Sequence, residues 1–544
     1  MAKKYLPILL VIIFSIIAGF SLIHRGLPPT HDGEYHIVRF YEFDKALRDG
    51  NWYPRWASDL NNGYGVPLFN YVYPLPNYVA SFFHIFGISF IDSFKLEMFL
   101  ALIIGGIFFY LWSKEFWGTL GGIVSSIFYS FSPYHFVDVY IRGSVGEIWA
   151  LAFFPAFLWS ITKLFREKQN KYIVISGIFL ALIIFSHNIL ALMFFAFSIS
   201  YIIFLIWINK DHRYLRLNAL YAILMGLGLS AIFWIPALFE KQYVVGLEVF
   251  NLSTNFPDLY QLIFPSWGSG FFGTDMATEM SVQIGVANIL AIAISAYVGY
   301  MCFRKRKAET KVIFFFLISF MILLFLMQEI SYPIWVNIPL INYFQFPWRL
   351  LSLVILIASF LAGSIVFYWK SWVLVIIMIV FTFILGIAYA KPAYYHYRED
   401  SYYTSRSNFI DGTNSPGNAF NTIFFNENLK KQKDKAFFLK GDGIIVQKRI
   451  TSNYYDLNIE TKKDSEIRVN TAYFPGWSVF VDGKKVKVNV TSDGLFSFKI
   501  NSGDHDVKIE FGTTSPRTIG TILSLISILL SLFFLTNPLF ARNK

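Results

Sequence analysis

The stretch YLPILLVIIFSIIAGFSLIHRGLPPTHDGEYH, residues 5–36, decides the fold. No charged residue occurs from Tyr5 to Ile23. A helix of that length crosses a hydrocarbon core roughly 30 Å thick at about 1.5 Å per residue. The run then gives way to His31, Asp32, Glu34 and His36, so polar chemistry stands just beyond a membrane span. Comparable apolar runs recur near residues 96–113, 118–132, 147–163, 171–186, 188–208, 217–237, 284–302, 311–328, 349–367, 372–390 and 518–536. The expected architecture is a polytopic α-helical membrane protein of about twelve transmembrane helices. Composition agrees: 55% of the 544 residues are hydrophobic and 15% charged, against roughly a quarter charged in soluble domains. Lys3 and Lys4 precede an apolar stretch without a small-residue cleavage site, which reads as a retained first helix. The formal net charge of +11 falls mostly in short loops and so does not point to nucleic acid. A lone cysteine, Cys302, excludes an internal disulfide and a Cys-rich metal site.

Charge placement orients the spans. The loops KLFREKQNK at 163–171, NKDHRYLR at 209–216 and CFRKRK at 302–307 are dense in Lys and Arg, which places them in the cytoplasm. Counting outward puts both termini, including the final ARNK, inside. Segments 24–95, 132–146, 238–283, 329–348 and 391–517 then lie outside. Apolar stretch 75–90 would reverse every earlier loop if it crossed, and it reads as interfacial or re-entrant. In GEYHIVRFYEFDKALR, residues 33–48, Ile37, Phe40, Phe43 and Leu47 share one side of a helix, interrupted by Asp44. That pattern predicts a helix lying on the outer membrane surface.

From about residue 391 the pattern changes to alternation with period two, as in WSVFVDGKKVKVNV (477–490) and GLFSFKINSGDHDVKIEF (494–511). Asp482-Gly483 and Asp493-Gly494 sit between alternating runs and signal hairpins. The expected division is a transmembrane domain over 1–390, an extracytoplasmic β-sandwich over 391–517, and a last helix with a cytoplasmic tail over 518–544. The sandwich carries no catalytic constellation and suits carbohydrate contact or structure.

The residues that could carry chemistry gather at the outer ends of spans. Asp32 either caps the helix that begins at Gly33 or acts as a general base on an acceptor hydroxyl. His31 and His36 beside it are candidate substrate contacts, and a divalent cation at this cluster is conceivable, although the spacing matches no specific metal motif. The second outer loop, SPYHFVDVYIRGSVGEIWA (132–150), supplies Asp138, Arg142 and Glu147. Ser144 and Glu147 fit a capping box, and Asp138 and Arg142 fit a pair one turn apart; both acids are equally candidates for the site. In NYFQFPWRLL (342–351), Trp348 and Arg349 suit an interfacial anchor with a snorkelling arginine. A lipid phosphate held by Arg349 suits it as well. His187 and Asn188 mark an outer hairpin tip. The loop 238–283, with Glu240, Lys241, Trp267 and Asp275, suits a cover over substrate. No Gly-rich phosphate loop is present, so a nucleotide is not expected.

Through THDGEYH (30–36), NNGYGVPLFNYVYPLP (61–76), YIRGSVGE (140–147) and FQFPWR (344–349), the chain resembles the membrane family named 6-pyruvoyl-tetrahydropterin synthase-related, whose name does not denote pterin chemistry. That family in turn resembles the GT-C class of membrane glycosyltransferases. AYFPGWSVFVDGKKV (472–486) is similar to the β-sandwich tails of related bacterial membrane proteins. The resemblance implies a GT-C-like fold in the cytoplasmic membrane with its site on the outer face. It also implies a polyprenyl-phosphate-sugar donor and a glycan, lipid or protein acceptor. The catalytic base maps onto Asp32, and the second-loop acid onto Asp138 or Glu147. Arg142, Arg349, His31, His36 and His187 are the expected substrate contacts. The rival expectation is a transporter or flippase of lipid-linked glycans, which would place ionisable residues within the spans.

Overall fold

The computed structural model describes residues 2–209, 212–246, 252–275, 277–405 and 418–536. The terminal ARNK at 541–544, and parts of the loops 209–216 and 238–283, lie outside the described residues. The main helices are α1 (Ala2–Gly19), α2 (Gly33–Arg48), α3 (Leu75–Ile85), α4 (Phe90–Ser130), α5 (Val145–Glu167), α6 (Lys171–Ser186) and α7 (Asn188–Ile208). They continue as α8 (His212–Leu229), α9 (Ala231–Phe239), α10 (Val286–Arg304), α11 (Glu309–Leu326), α12 (Leu351–Trp369), α13 (Trp372–Ile387) and α14 (Ser515–Thr536).

Among the described residues, eight helices are long and apolar enough to cross a membrane, and nine if α8 and α9, bent by 69°, form one span. The helices α6 and α13 are apolar but shorter. The count falls below twelve partly because two expected spans, 96–113 and 118–132, are the arms of α4. The chain reverses at Gly118, whose φ of 70° and ψ of −176° belong to glycine. As a result Ser126 Oγ donates to Gly106 O at 2.7 Å and Tyr129 stacks on Phe109 at 4.2 Å. On a straight helix residues so far apart in sequence would stand about 30 Å apart. The span windows at Pro347–Trp369 and Val145–Glu167 are 94% and 89% buried, whereas that of Ser515–Thr536 is 22% buried. Helices α12 and α5 therefore form the centre of the bundle, and α14 lies at its edge.

Helix α3 is about 16 Å long, too short to cross. Helix α2 forms where expected, but it does not lie against lipid alone. Ile37, Phe40 and Phe43 are buried with Glu42 and Asp44 in protein contacts to α3, α4 and the short helix Asp400–Thr404. Glu42 accepts from Asp59 N at 3.1 Å and Asp44 from Arg48 Nε at 2.6 Å. These partners explain why charge tolerates the apolar stripe.

The tail contains β1 (Ala436–Lys440), β2 (Gly443–Ile450), β3 (Tyr454–Thr461), β4 (Ser465–Val469), β5 (Trp477–Val481), β6 (Lys484–Val486), β7 (Asn489–Val490), β8 (Phe496–Ile500) and β9 (Gly503–Phe511). They form antiparallel sheets ordered β1-β4-β8-β7 and β2-β3-β9-β5-β6. Ile467, Phe498, Leu457 and Ile509, from the two sheets, share one core. Val481 pairs with Lys484 across Asp482 and Gly483, both at positive φ, the two-residue turn that the dipeptide signals.

Trp56 and Tyr71 of the first long loop enter the same core, so the sandwich docks on that loop. A buried polar clamp fixes the joint. Glu240, at the end of α9, receives Arg517 Nη2 at 3.1 Å and Asn70 Nδ2 at 2.9 Å. Asn70 Oδ1 accepts from Arg55 Nη1 at 3.0 Å. Arg517 also lies over the rings of Phe474 and Phe511. Replacing Arg517 by Met should cost on the order of 3–5 kcal/mol by leaving Glu240 buried without its main charge partner. The expected readout is a lower thermal midpoint in detergent that is largely recovered when Glu240→Gln is added. A single variant as stable as the parent would contradict the clamp.

Candidate functional site

The loop that follows the first span and the loop 132–146 are joined through their backbones. His31 N donates to Ile141 O and Asp32 N to Arg142 O, both at 2.9 Å. Gly143 permits this approach: its φ is 64°, and a Cβ there would strike Thr30. Thr30 Oγ1 accepts from Gly33 N at 3.2 Å, and Asp32 makes no side-chain cap on α2. Capping therefore does not account for Asp32, which is half-buried and lines a cavity of about 700 Å³.

Residues Val137–Arg142 form one turn of π-helix, a widened coil that often marks functional sites. The expected Asp138–Arg142 pair is present, with Nη1 donating to Oδ1 at 2.5 Å. The expected capping box is not, because Ser144 makes no side-chain cap. Glu147 instead accepts from Arg142 Nη1 and Nη2, both at 2.6 Å, and its Oε1 lies 3.0 Å from Arg349 Nε. All four side chains are buried. Asp138 and Glu147 are absent from the cavity lining, whereas Arg142 and Arg349 belong to it. The second-loop acids thus stand behind the arginines and grip them, which corrects the expectation that either acid faces substrate directly.

Arg349 is not a snorkelling anchor. It is 4% exposed and Trp348 is 3% exposed. Arg349 Nη1 donates to Phe344 O at 3.0 Å and Gln345 Oε1 at 2.9 Å, which turns the guanidinium into the protein. Trp348 stacks on Phe346, and Arg142 lies 5.0 Å from a Trp348 ring centroid. The motif FQFPWR is therefore an aromatic shelf that carries Arg349 to Glu147.

His31, Asp32, His36, Arg142, His187 and Arg349 all line the cavity, so the structure brings six of the eight expected site residues to one space. His31 Nε2 meets Ser269 O at 2.8 Å and its ring packs on Phe271. His187 caps α7 by accepting from Leu190 N at 3.2 Å, and its Nε2 is 3.8 Å from Glu147 Oε1. Asn188, which donates to Tyr71 O at 2.8 Å, lines the cavity beside it. Phe271, Phe272 and Met280 of the loop 238–283 reach the cavity, but Glu240, Lys241, Trp267 and Asp275 do not. Arg39 of α2 also lines it, a residue not among the expected site residues; Asp32, His36 and Arg39 at i, i+4 and i+7 share one helical stripe, and that spacing was the available signal. The cluster at 31–36 does not gather as a ligand set. Glu34 pairs with Arg398 at 3.8 Å, and His36 packs near Phe40 and Phe94. Among the described residues no three His, Cys, Asp or Glu side chains form a group that could hold a metal ion.

Burial raises the Asp32 pKa above the ordinary carboxylate value, opposed by Arg142 and Arg39. Burial and the charge of Glu147 raise Asp138 well above it, opposed by Arg142 and Arg349. For Arg142, burial is outweighed by Glu147 and Asp138, and the guanidinium stays charged.

A model of the family described as "6-pyruvoyl-tetrahydropterin synthase related domain; membrane protein" matches residues 69–394. The chain belongs to this family. A model for the bacterial membrane protein YfhO is similar to residues 419–524, the region of the sandwich. An uncharacterized protein of Lactococcus lactis subsp. cremoris (strain MG1363) is 25% identical over 247 residues, 43% of this chain and 40% of that one. The chain thus spans about 40% of the curated relative's length. Among solved structures, the oligosaccharyltransferase of Archaeoglobus fulgidus in its apo form is similar with a TM-score of 0.47 and 15% identity, over 76% of this chain and 59% of that one. The mycobacterial arabinofuranosyltransferase AftD is similar with a TM-score of 0.45 and 13% identity, over 72% and 27%.

The neutral imidazoles carry a pH dependence. Burial lowers His187 to about 3 against the opposing charge of Glu147, and lowers His135 to about 4. Their folded values lie below the unfolded value of about 6.5, so protonation favours the unfolded chain and stability is lost as pH falls through 6.5. Asp32 and Asp138, whose pKa values are raised, contribute with the opposite sign, so the histidine share has to be read as a difference. Measured against His187→Asn, the wild type should lose thermal stability between about pH 7.5 and pH 5. A difference that does not change with pH would contradict a buried neutral His187.

Proposed function

We propose that this chain is a membrane glycosyltransferase of GT-C type. It moves a sugar from a polyprenyl-phosphate-linked donor to an acceptor hydroxyl on the outer face of the cytoplasmic membrane. The observation that carries the proposal is the meeting of the Asp32 carboxyl with Arg142 and Arg349 in one cavity. A basic group and a cationic wall in the same space match the two demands of the transfer.

The donor's phosphate ester is the leaving group, and charge builds on its oxygen as the bond to the sugar breaks. Arg142 and Arg349 stabilise that charge, and because Glu147 already fixes them they need little reorganisation. Asp32 takes the proton from the acceptor hydroxyl as its oxygen bonds to the anomeric carbon. The carbon–phosphate-oxygen bond breaks in the same displacement, so the anomeric configuration inverts. Tyr35, Tyr73 and Trp348 line the walls and suit contact with a sugar or an isoprenoid chain. The acceptor is a glycan, lipid or protein.

One observation favours the transporter alternative. Glu97 is fully buried within the span helix α4; Trp149 Nε1 donates to its Oε2 at 3.1 Å, and its Oε1 has no hydrogen-bond partner. Buried acids in span helices mark substrate or ion pathways in transporters. The two readings separate experimentally. In a transferase, Asp32→Asn loses about 10²- to 10⁴-fold in turnover of synthetic polyprenyl-phosphate sugars while donor binding is retained. Wild-type turnover then rises with pH through a midpoint above the ordinary carboxylate range, since only ionised Asp32 accepts a proton. Absence of turnover with every donor, together with Glu97-dependent passage of lipid-linked glycan across liposomes, would replace the transferase by the transporter.

A further inference from the structure

A second cavity lies far from Asp32. Helix α10 begins at Val286, after the loop that covers the candidate site, and ends at Arg304. At about 1.5 Å per residue it places Phe303 some 26 Å from that end. Beside Phe303, α7 and α11 leave a groove of about 570 Å³ lined by Ile203, Phe204, Trp207, Phe314 and Ile318. Several of these large apolar side chains are exposed, Trp207 and Phe303 at 62% each.

The groove is polar at one end. Lys311 Nζ stands 4.7 Å from a ring centroid of Trp207, and among the described residues no carboxylate forms an ion pair with Lys311. Next to it, Thr310 Oγ1 is buried and has no hydrogen-bond partner in the structure. Arg304, Lys305, Arg306 and Lys307, all exposed, flank the same end. From Lys311 to Ile318 the groove runs about 10 Å along α11. A surface that only faces hydrocarbon needs no ammonium group, and the amphipathic Trp207 beside the lysine suits the level of lipid headgroups.

We infer that the groove between α7 and α11 is a binding site for an anionic phospholipid. Its acyl chain lies against Ile203, Phe204, Phe314 and Ile318, and its phosphate pairs with Lys311 and the Thr310 hydroxyl. The occupant comes from the leaflet that the basic loop 302–307 faces, because positive clusters beside a span attract anionic lipids. This site is independent of the proposed catalytic function.

The test is native mass spectrometry of the full chain in detergent, with equimolar phosphatidylglycerol and phosphatidylcholine of matched acyl chains. The wild type should retain phosphatidylglycerol about fivefold or more over phosphatidylcholine. Lys311→Gln should bring the two lipids near parity, and Ile318→Trp should reduce retention of both. Lys171→Gln, an exposed lysine opening a different helix, should change nothing. Lack of preference in the wild type, a preference that survives Lys311→Gln, or equal loss in Lys171→Gln would each overturn the site. Displacement of phosphatidylglycerol by an equimolar isoprenyl phosphate would overturn the choice of lipid.

Discussion

One buried carboxylate, Glu147, brings two guanidinium groups from distant parts of the chain within 3.0 Å. A lone ionised carboxylate in such a place costs several kcal/mol, and only close, well-directed counter-charges offset it. Arg142 supplies a bidentate contact and Arg349 a second charge. The contact also works in the other direction, because two arginines held side by side would repel without Glu147 between them. Asp138, whose pKa burial and Glu147 raise well above the ordinary carboxylate value, adds a further contact to the Arg142 guanidinium.

The geometry around this knot follows from how each arginine is delivered. The π-helical turn at 137–142 ends at Gly143, and the same turn gives its carbonyls at Ile141 and Arg142 to the backbone of His31 and Asp32. The first span thus hands its acid to the second loop at a fixed distance. Arg349 arrives on the rings of Phe346 and Trp348, at the head of the most buried helix of the bundle. On the other side, the Glu240–Arg517 clamp ties the loop that carries Tyr71 and Tyr73 to the sandwich and to α14. Binding residues placed on loops need a rigid frame of this kind to act together.

Much of the architecture is legible from local pattern. Long uncharged runs mark spans because lipid leaves no other partner for the backbone, and Asp482-Gly483 marks a hairpin because both residues adopt positive φ. The reversal near Gly118 is legible by the same logic, since Ser113, Lys114 and Glu115 interrupt the apolar run between 96–113 and 118–132; that Gly118 itself makes the turn is not. Site residues were found where composition was anomalous, as at 30–36, but their roles depend on partners far away in sequence. Glu147 fits a capping box and Arg349 fits a membrane anchor when each is seen with its neighbours alone. Their pairing is a tertiary fact that local spacing does not encode. Arg39 was missed for the same reason: an arginine on an amphipathic helix looks solvent-facing until the protein wall opposite it is known.

The most direct test is a cryo-electron microscopy map of the protein bound to a short-chain isoprenyl phosphate. The account predicts phosphate density inside the cavity of about 700 Å³, within hydrogen-bond reach of the Arg142 and Arg349 guanidinium groups and on the same side as Asp32. Phosphate bound outside that cavity, or inside it but away from both arginines, would contradict the account.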